Sequence, residues 1–508
     1  MAKKKPVLTT PQRMATTKLP APSSAQRKEE RQAEKARRRL VAGRLGWGGM
    51  FGGRSAVEDP GTVYTGPSTQ VGAVYPFLLG AGLPPRGVPV GRDVLTGELV
   101  CVDPSGWTGT LTTNPGVWVM SQPGAGKSAL VKRICLVYAS YGHMVVVPGD
   151  VKGEYTPLVE ALGGSVVRIG TGGQRLNPLD SGPLKHHMAT LPTAEREAMQ
   201  EAVQARRLDA LGALLATKPG LGRAPSEVDQ SALNRAVELA DAAVTGDPII
   251  RDVVNVLREG PQDLRDKLGT TTEERYTDLT RSLIAGLENL CDGPLKGLFD
   301  GQTTAAIDLN APAVSVDISA LRARGNDVIS AGMIATWAYT YAAVDSARSI
   351  GMIKRSLVLP MDEMWRALRS GPGLVDAMDG ISRLNRVYDD VTLFVTHSLL
   401  DAESLPTEED RMKARGLMDR CDTWVIGASS TEELERVTGK RALTEQERMM
   451  ITSWSSATST GLDGTDQIHP GRGKYLIKIG TRPGIAAATE LTAAERRLYH
   501  TDNNAQVA

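Results

Sequence analysis

Short apolar segments recur along the chain after Trp107, and stretches with helical spacing separate them. Several of these segments are apolar at every position, which is typical of strands covered by helices on both faces of a parallel sheet. The pattern therefore predicts an α/β fold with a mostly parallel sheet. The predicted strands are Val117–Met120, Met144–Val147, Val166–Ile169, Val314–Ile318, Leu357–Leu359, Thr392–Val395, Trp424–Ile426 and Tyr475–Ile479.

Two regions depart from this alternation of strands and helices. Ahead of it, Val88–Asp93 and Leu99–Val102 flank the turn residues Thr96-Gly97, which predicts a small N-terminal β element. Within it, the segment from Asn177 to about Leu290 is rich in Ala, Leu, Glu and Arg at helical spacing. We therefore expect an all-helical insertion inside the α/β core.

These changes of character predict the domain organisation. The expected parts are a disordered basic arm with a Gly-rich linker over 1–55, the small β-rich element over 56–106, the first part of the core over 107–185, the helical insertion over 186–290, the second part of the core over 291–485 and a tail over 486–508. Two late helices are expected to begin with capping boxes, Thr444 with Glu447 and Thr492 with Glu495.

The charge is divided unevenly along the chain. Residues 1–45 carry 13 Lys or Arg against three Glu, whereas the rest carries 46 basic and 55 acidic residues. Such an arm either binds DNA, an acidic lipid surface or a partner, or it only aids solubility. No apolar run reaches the roughly 18 residues that a membrane helix needs. The scattered cysteines contain no CxxC pair, so we expect a protein of the reducing cytoplasm without a zinc or redox site.

The segment from Met120 to Ala129 carries the clearest chemistry, because a predicted strand leads through glycines into a predicted helix. Apart from its first position, it matches the phosphate-binding pattern G-x-x-x-x-G-K-[ST], in which backbone N–H groups and a helix N-terminus bind a nucleoside triphosphate. We expect Lys127 to reach the β- and γ-phosphates and the Ser128 hydroxyl to bind Mg²⁺. The residues expected to hold ATP are Ser121, Gln122, Pro123, Gly124, Ala125, Gly126, Lys127, Ser128 and Ala129.

One position of this loop departs from the pattern. Ser121 stands where the pattern has its first glycine, so we expect a strained turn with no phosphate ligand lost. A bare Gly-Lys-Ser would be a weak signal in a glycine-rich chain, and the strand before it and the helix after it strengthen it greatly. The alternative is a glycine-rich turn without a ligand.

Two consecutive carboxylates follow the apolar segment Leu357–Leu359. Ligands in open α/β sheets bind at the carboxyl ends of strands, where Asp362 would hold Mg²⁺ and Glu363 would act as general base on the attacking water. The alternative is a helix N-terminus with acids that favour its dipole. Pro360 cannot donate a ladder hydrogen bond, so we expect the strand to end there. Trp365 is interpreted as a packing residue.

Another polar group, Thr396-His397-Ser398, follows the predicted strand Thr392–Val395. It would face the γ-phosphate from a neighbouring strand, with His397 or Ser398 sensing the phosphate. The alternative is a cap at the strand end, and the residues do not separate the two.

Four further segments carry a resemblance to a known family. Asp150-Val151-Lys152-Gly153-Glu154-Tyr155 is similar to the D-x-K-G-E-Y signature of conjugative (type IV) secretion ATPases, members of the FtsK/HerA-like P-loop ring motors. The other matches are Asn177-Pro178-Leu179-Asp180 with N-P-L-D, Asp362-Glu363-Met364-Trp365 with D-E-x-W, and Gly471-Arg472-Gly473-Lys474-Tyr475 with the late glycine–arginine segment. The resemblance implies a RecA-like P-loop NTPase fold and a hexameric ring ATPase at the cytoplasmic base of a channel formed by membrane proteins.

The departures from the family are informative. The large N-terminal domain that commonly docks on the membrane complex is not expected here, and His397 stands where the family often has Gln. Ring motors also need an arginine that reaches the neighbouring subunit's site. Arg383, Arg386 and Arg472 are the candidates, and the sequence does not rank them.

Three functions remain open on this reading. The first is an ATP-hydrolysing motor for conjugative DNA transfer or type IV-like secretion, located at the inner face of the cell membrane. The second is a double-stranded DNA translocase or coupling protein of the same superfamily, against which the acidic body argues mildly. The third is a nucleotide-binding assembly scaffold that does not hydrolyse ATP.

Overall fold

The computed structural model of the 508-residue chain describes residues 83–170, 174–188, 191–371, 374–375, 388–455 and 471–499. The basic arm and linker predicted over 1–55 lie outside these ranges, as do Arg383, Arg386 and the last residues of the predicted tail. None of the described helices combines the length and apolar character needed to span a membrane.

The described strands form one mixed sheet of eleven strands, in the order β2-β1-β11-β10-β9-β3-β8-β7-β4-β6-β5. Every strand predicted from the apolar pattern is present, with ends that shift by at most a few residues. The strands are β1 Val88–Asp93, β2 Leu99–Val102, β3 Val117–Met120, β4 Met144–Asp150, β5 Ser165–Arg168, β6 Ala313–Asp317, β7 Leu357–Met361, β8 Val391–Thr396, β9 Thr423–Ile426, β10 Lys474–Ile479 and β11 Ile485–Ala488.

The sheet has a parallel part and an antiparallel part. Strands β9, β3, β8, β7, β4, β6 and β5 pair in parallel. Strands β10, β11, β1 and β2 continue the same sheet in antiparallel pairs. The predicted N-terminal β element is thus an extension of the main sheet. It joins the sheet through β11, which the sequence analysis did not predict.

The expected end of β7 at Pro360 is wrong. The strand continues to Met361, and Pro360 pairs with Leu393 of β8. On its other side β7 pairs with β4 only at Leu357 and Val358, so that ladder has ended before the proline. A proline is tolerated in a strand where no neighbouring strand needs a hydrogen bond from the N–H that proline lacks.

Helices cover the sheet, and a run of helices lies between β5 and β6, where the sequence predicts helical structure. The described helices are α1 Pro104–Trp107, α2 Lys127–Ser140, α3 Thr156–Ala161, α4 Leu184–Met188, α5 Thr193–Ala216, α6 Glu227–Ala243, α7 Ile250–Glu259, α8 Gln262–Lys267, α9 Glu273–Asp292, α10 Asn326–Ser349, α11 Met364–Leu368, α12 Leu400–Glu403, α13 Glu408–Asp419, α14 Thr431–Thr438, α15 Glu445–Trp454 and α16 Ala493–Tyr499. Both predicted capping boxes are present, at the starts of α15 and α16.

The insertion shares its hydrophobic core with the sheet. Leu211, Val237 and Leu287 of the insertion belong to the same buried cluster as Trp118 and Val146 of the sheet. Helix α5 packs on α10, and α10 packs on β4, so α10 joins the two layers. This arrangement fixes the insertion to the strand that precedes the Asp150–Tyr155 segment.

Helix α2 is fixed to the N-terminal hairpin at several points. The Arg133 guanidinium donates to the carbonyl of Val90 at 2.9 Å and to that of Glu490 at 2.7 Å. The Tyr138 hydroxyl donates to Asp103 Oδ1 at 3.2 Å. These contacts hold the middle and the last turn of α2, the helix that Lys127 and Ser128 open, against the antiparallel part of the sheet.

Candidate nucleotide-binding site

The loop between β3 and α2 has the backbone that its glycines predict. Gly124 has φ 80° and Gly126 has φ 99°, both in the left-handed region that favours glycine. A Cβ atom on Gly126 would lie 2.7 Å from the Tyr475 hydroxyl, so this position has no room for a side chain. Residues 121–126 form the loop and 127–129 the first turn of α2. The nine residues expected to hold ATP therefore form one continuous loop and helix start.

The late glycine–arginine segment lies against this loop. The Ala125 carbonyl accepts from the Gly473 N–H at 2.9 Å and from the Tyr475 hydroxyl at 3.2 Å. Tyr475 is buried, whereas Arg472 beside it is exposed. The segment thus supports the phosphate-binding loop from outside, a role that the sequence analysis did not predict.

Ser121 is accommodated by a glycine on the next strand. The serine side chain is fully buried, and a Cβ atom on Gly427 would lie only 2.6 Å from the Ser121 Cβ. Gly427 follows β9, and its N–H donates to the carbonyl of Met120 at 2.8 Å. The missing side chain at 427 therefore makes room for the side chain at 121.

Lys127 is buried and binds both the loop and His397. Its ammonium donates to the carbonyls of Ser121 and Gln122, the latter at 3.1 Å, and lies 2.9 Å from His397 Nδ1. Burial lowers the pKa of Lys127 to about 8, although the Asp362 charge partly opposes this. Burial, together with the Lys127 charge, also lowers the pKa of His397. A neutral imidazole with Nδ1 as acceptor satisfies this contact.

The structure separates His397 from Ser398. The Ser398 hydroxyl donates to Glu433 Oε2 at 2.9 Å, and the Leu399 N–H donates to the same carboxylate. Thr396 donates to Asp401 Oδ2 at 2.6 Å. Ser398 and Thr396 therefore fix the end of β8, whereas His397 contacts the lysine of the phosphate-binding loop.

Asp362 and Glu363 follow β7, which is separated from β3 by β8 alone. The carboxyl ends of β3, β8 and β7 thus bring Lys127, His397 and the carboxylates to one edge of the sheet. Glu363 has φ 57°, a left-handed conformation rare for a non-glycine residue. The neighbouring Trp365 is buried and packs edge-on against Trp118 at 5.7 Å between ring centroids, in agreement with its interpretation as a packing residue.

The Asp362 carboxylate contacts Glu363 and Tyr155. Burial raises its pKa to about 6, even though the Lys152 charge lowers it. Its Oδ1 accepts from the Glu363 N–H at 3.0 Å, and its Oδ2 lies 3.5 Å from the Tyr155 hydroxyl. A divalent cation beside this carboxylate would offset the cost of its burial. The Asp362 carboxylate and the Ser128 hydroxyl offer the hard oxygen donors that Mg²⁺ prefers, so these residues fit the ion.

The Asp150–Tyr155 segment surrounds the carboxylates from the β4 side. Asp150 accepts from the backbone N–H groups of Lys152, Glu154 and Tyr155, at 3.2, 3.1 and 2.7 Å. The Lys152 ammonium lies 2.9 Å from Glu363 Oε1. Burial would raise the pKa of Glu363, but the hydrogen bond and charge of Lys152 outweigh burial and lower it.

Glu154 links this segment to helix α2. Its Oε2 lies 3.6 Å from the ammonium of Lys132, a side chain with no exposed surface. The Lys132 ammonium also lies over the Tyr155 ring, 5.6 Å from its centroid. The signature Asp150–Tyr155 marks these charged residues as notable. Nothing local in the sequence shows that Lys152 contacts Glu363 or that Glu154 lies beside Lys132.

Of the arginines expected to act on a neighbouring site, only Arg472 is described. It lies next to the phosphate-binding loop of its own chain, through the contact of Gly473 with Ala125. Arg383 and Arg386 lie outside the described residues.

Comparison with known proteins identifies the fold. No family model matches the sequence, and no curated protein matches it. Among solved structures, VirB4 of Thermoanaerobacter pseudethanolicus is 20% identical, covers 82% of this chain and 99% of its own length, and has a TM-score of 0.58. The plasmid coupling protein TrwB in complex with ADP and Mg²⁺ is 12% identical over 74% of this chain and 85% of that chain, with a TM-score of 0.46. The expected α/β fold is therefore confirmed, and the chain has a P-loop NTPase fold like that of VirB4.

Proposed function

We propose that this protein is an ATP-hydrolysing motor that energises conjugative DNA transfer or type IV-like secretion. The observation that carries the proposal is the arrangement of β3, β8 and β7. Their carboxyl ends bring together a phosphate-binding lysine, a histidine in contact with it and a carboxylate pair. These are the parts that phosphoryl transfer requires. The similarity of the fold to that of VirB4 supports the proposal of a secretion motor.

The position of each residue supports the role that we assign to it. The backbone N–H groups of Gly124, Gly126 and the start of α2 bind the phosphates, and Lys127 reaches the β- and γ-phosphates. Ser128 and Asp362 would hold Mg²⁺, which would neutralise charge on the phosphate oxygens. Glu363 orients the attacking water and accepts its proton. His397 exchanges its contact with Lys127 for one with the γ-phosphate.

The assembly proposed is a homo-hexameric ring whose sites are completed across subunit interfaces. Arg383, Arg386 or Arg472 would supply the arginine in trans. Arg472 is exposed, as a residue that reaches a neighbour must be. We place the protein in the cytoplasm, peripheral to the inner face of the membrane and bound to channel proteins there. The basic arm over 1–55 would contact DNA or another acidic surface.

The test of hydrolysis uses the purified full-length chain with Mg²⁺ and ATP. We expect phosphate release by the wild type, loss of ATP binding in Lys127→Ala, and retention of binding with about 100-fold slower hydrolysis in Glu363→Gln. Glu435→Gln, an exposed glutamate on α14, is a matched control and should hydrolyse ATP at the wild-type rate. Wild-type protein that binds ATP without hydrolysing it would make the protein a nucleotide-binding scaffold.

The double-stranded DNA translocase is the second candidate, and the excess of basic residues over 1–45 favours it. It predicts hydrolysis stimulated several-fold by double-stranded DNA, with the stimulation lost at high salt. A secretion motor that does not act on DNA predicts the same rate with and without DNA. The comparison is best made at several salt concentrations, because DNA binding by basic residues weakens steeply with salt.

A further inference from the structure

Lys152 has two carboxylates within reach. Its ammonium lies 2.9 Å from Glu363 Oε1 and 3.8 Å from Glu154 Oε1. The side chain of Lys152 is 38% exposed and that of Glu363 is 24% exposed. Ion pairs between partly exposed side chains are weak and easily exchanged. Lys152 can therefore move from one carboxylate to the other without a large change in free energy.

The strand order gives the Lys152–Glu363 pair a direction. Glu363 follows β7, whose neighbours are β8 on one side and β4 on the other. Lys152 follows β4, whereas Lys127 follows β3, which lies beyond β8. The pair therefore holds the Glu363 carboxylate to the segment that follows β4. A general base must instead place its oxygen within hydrogen-bond reach of the water that attacks the γ-phosphate.

Glu154 has the capacity to receive Lys152. Its Oε2 is buried and makes no hydrogen bond with the described residues, and the nearest cation, Lys132, stays 3.6 Å away. The backbone of Glu154 is held by Asp150, so its position does not depend on Lys152. The carboxylate is thus a fixed acceptor between two lysines, one buried in α2 and one beside the base.

We propose that Lys152 restrains the catalytic base. While Lys152 binds Glu363, the carboxylate is turned toward β4 and hydrolysis is slow. When Lys152 moves to Glu154, Glu363 is free to orient the attacking water. The inference rests on the proposed function, because it takes Glu363 to be the general base. Lys152 is then a positioning residue that acts through Glu363 and sets the basal rate of hydrolysis.

The first test removes the restraint. Lys152→Met in the full-length chain is expected to raise kcat for Mg²⁺–ATP roughly threefold, with little change in KM, because a weak ion pair is lost. Lys152→Arg restores a cation and should bring kcat back toward the wild-type value. Lys354→Met is a matched control, since Lys354 is exposed before the opposite end of β7. A fall in kcat in Lys152→Met would overturn the proposal, because Lys152 would then assist the base.

The second test removes the alternative acceptor. In the double variant Lys132→Met/Glu154→Gln, the buried lysine and its carboxylate are both neutralised, so neither remains as an unpaired buried charge. Of the two carboxylates near Lys152, those of Glu363 and Glu154, only that of Glu363 then remains. We expect a kcat roughly threefold below wild type at unchanged KM. An unchanged or higher kcat would contradict the exchange between Glu363 and Glu154.

The third test needs no hydrolysis. Acetylation of surface amines followed by mass spectrometry measures how fast Lys152 reacts, with exposed Lys354 as the internal reference. Lys152 should react several-fold faster in Glu363→Gln than in the wild type, because its partner is gone. Equal rates would show that the pair does not form in solution and would overturn the proposal.

The outcomes also separate this proposal from the proposed function. If the wild type hydrolyses ATP and Lys152→Met is no faster, only the restraint by Lys152 fails. If both proteins bind ATP and neither hydrolyses it, the proposed function fails, and the restraint fails with it. If Lys152→Met hydrolyses ATP and the wild type does not, the restraint by Lys152 is supported and the proposed motor function of the wild type fails.

Discussion

The side chain of Ser121 occupies the space that Gly427 leaves open. The two residues lie at the ends of adjacent parallel strands, β3 and β9. A Cβ atom at 427 would lie 2.6 Å from the Ser121 Cβ and 3.2 Å from its Oγ. The departure from the usual glycine at the start of the phosphate-binding loop is thus balanced by a glycine elsewhere.

This relationship predicts a rescue between two substitutions. Gly427→Ala should lower the free energy of unfolding by about 2 kcal/mol, because it overpacks a closed site. Gly427 does not have a positive φ, so alanine is conformationally allowed there. Ser121→Gly/Gly427→Ala should recover most of the loss, since the remaining close neighbour is Tyr475 Cδ1 at 3.3 Å. Thermal unfolding of the four proteins measures the coupling. Additive effects would contradict the prediction.

Tyr475→Phe is expected to weaken ATP binding. The substitution removes one of the two donors to the Ala125 carbonyl, so the phosphate-binding loop is held less firmly. A lost hydrogen bond of about 1 kcal/mol corresponds to roughly fivefold weaker binding. Tyr141→Phe is the control, because its hydroxyl binds the carbonyl of Gly87 at the far end of α2. Calorimetric titration with ATP distinguishes them, and equal affinity in Tyr475→Phe would remove the support role.

The pH dependence of ATP binding should report on His397. Burial and the Lys127 charge lower the pKa of His397 below its usual 6.5, so the free protein holds it neutral at pH 7. A triphosphate nearby favours the protonated ring, so binding takes up a proton and affinity rises as the pH falls. The affinity of the wild type should therefore rise relative to that of His397→Gln between about pH 7 and 5.5. Parallel curves would place His397 away from the phosphates.

Substitution of Glu447, which lies away from the candidate site, should lower the stability of the protein strongly. Its buried carboxylate binds the Lys478 ammonium at 3.0 and 3.1 Å and the N–H groups of Thr444 and Gly484. Glu447→Gln leaves a buried ammonium without its charge partner and should cost about 3 kcal/mol of unfolding free energy at pH 7. Glu445→Gln, on an exposed side chain of the same helix, should cost less than about 0.5 kcal/mol.

The same carboxylate sets an acid limit. Burial alone would raise the pKa of Glu447, but Gly484, Thr444 and Lys478 outweigh it and lower the pKa from 4.5. Its contribution is therefore complete above about pH 4.5 and is lost as the pH falls through the lower value in the folded protein. Denaturant unfolding from pH 7 to 3 should show the wild type and Glu447→Gln converging at the acid end. A constant difference would contradict this account.

Most of the fold was predictable because its strands are apolar on both faces. That pattern predicted ten strands with nearly correct ends, including β3, β8 and β7. Strand β11 was missed because Ile485–Ala488 is mostly alanine, which has little strand preference. It forms because β10 and β1 lie on either side of it. Likewise, β7 continues through Pro360 because its pairing with β4 stops earlier, and no local sequence pattern shows where that pairing stops.

The residues of the candidate site could be named from the sequence where residue type alone dictates chemistry. Lys127, Ser128, Asp362 and Glu363 could be named from the phosphate-binding pattern and the acids after a strand. Contacts between distant segments could not be predicted, such as that of Lys152 with Glu363. These depend on which strands become neighbours, and the order β3-β8-β7-β4 is not visible in the sequence.

The support of Ala125 by Tyr475 also has a consequence for biosynthesis. The two residues are 350 positions apart, and both strands beside β3 come from the second half of the chain. A ribosome therefore exposes residues 121–128 long before it delivers β8, β9 and β10. For most of translation, the glycine-rich loop and the apolar strand β3 therefore lack the strands that pack beside them in the folded protein. The loop proposed to bind the nucleotide thus reaches its final surroundings late in the synthesis of the chain.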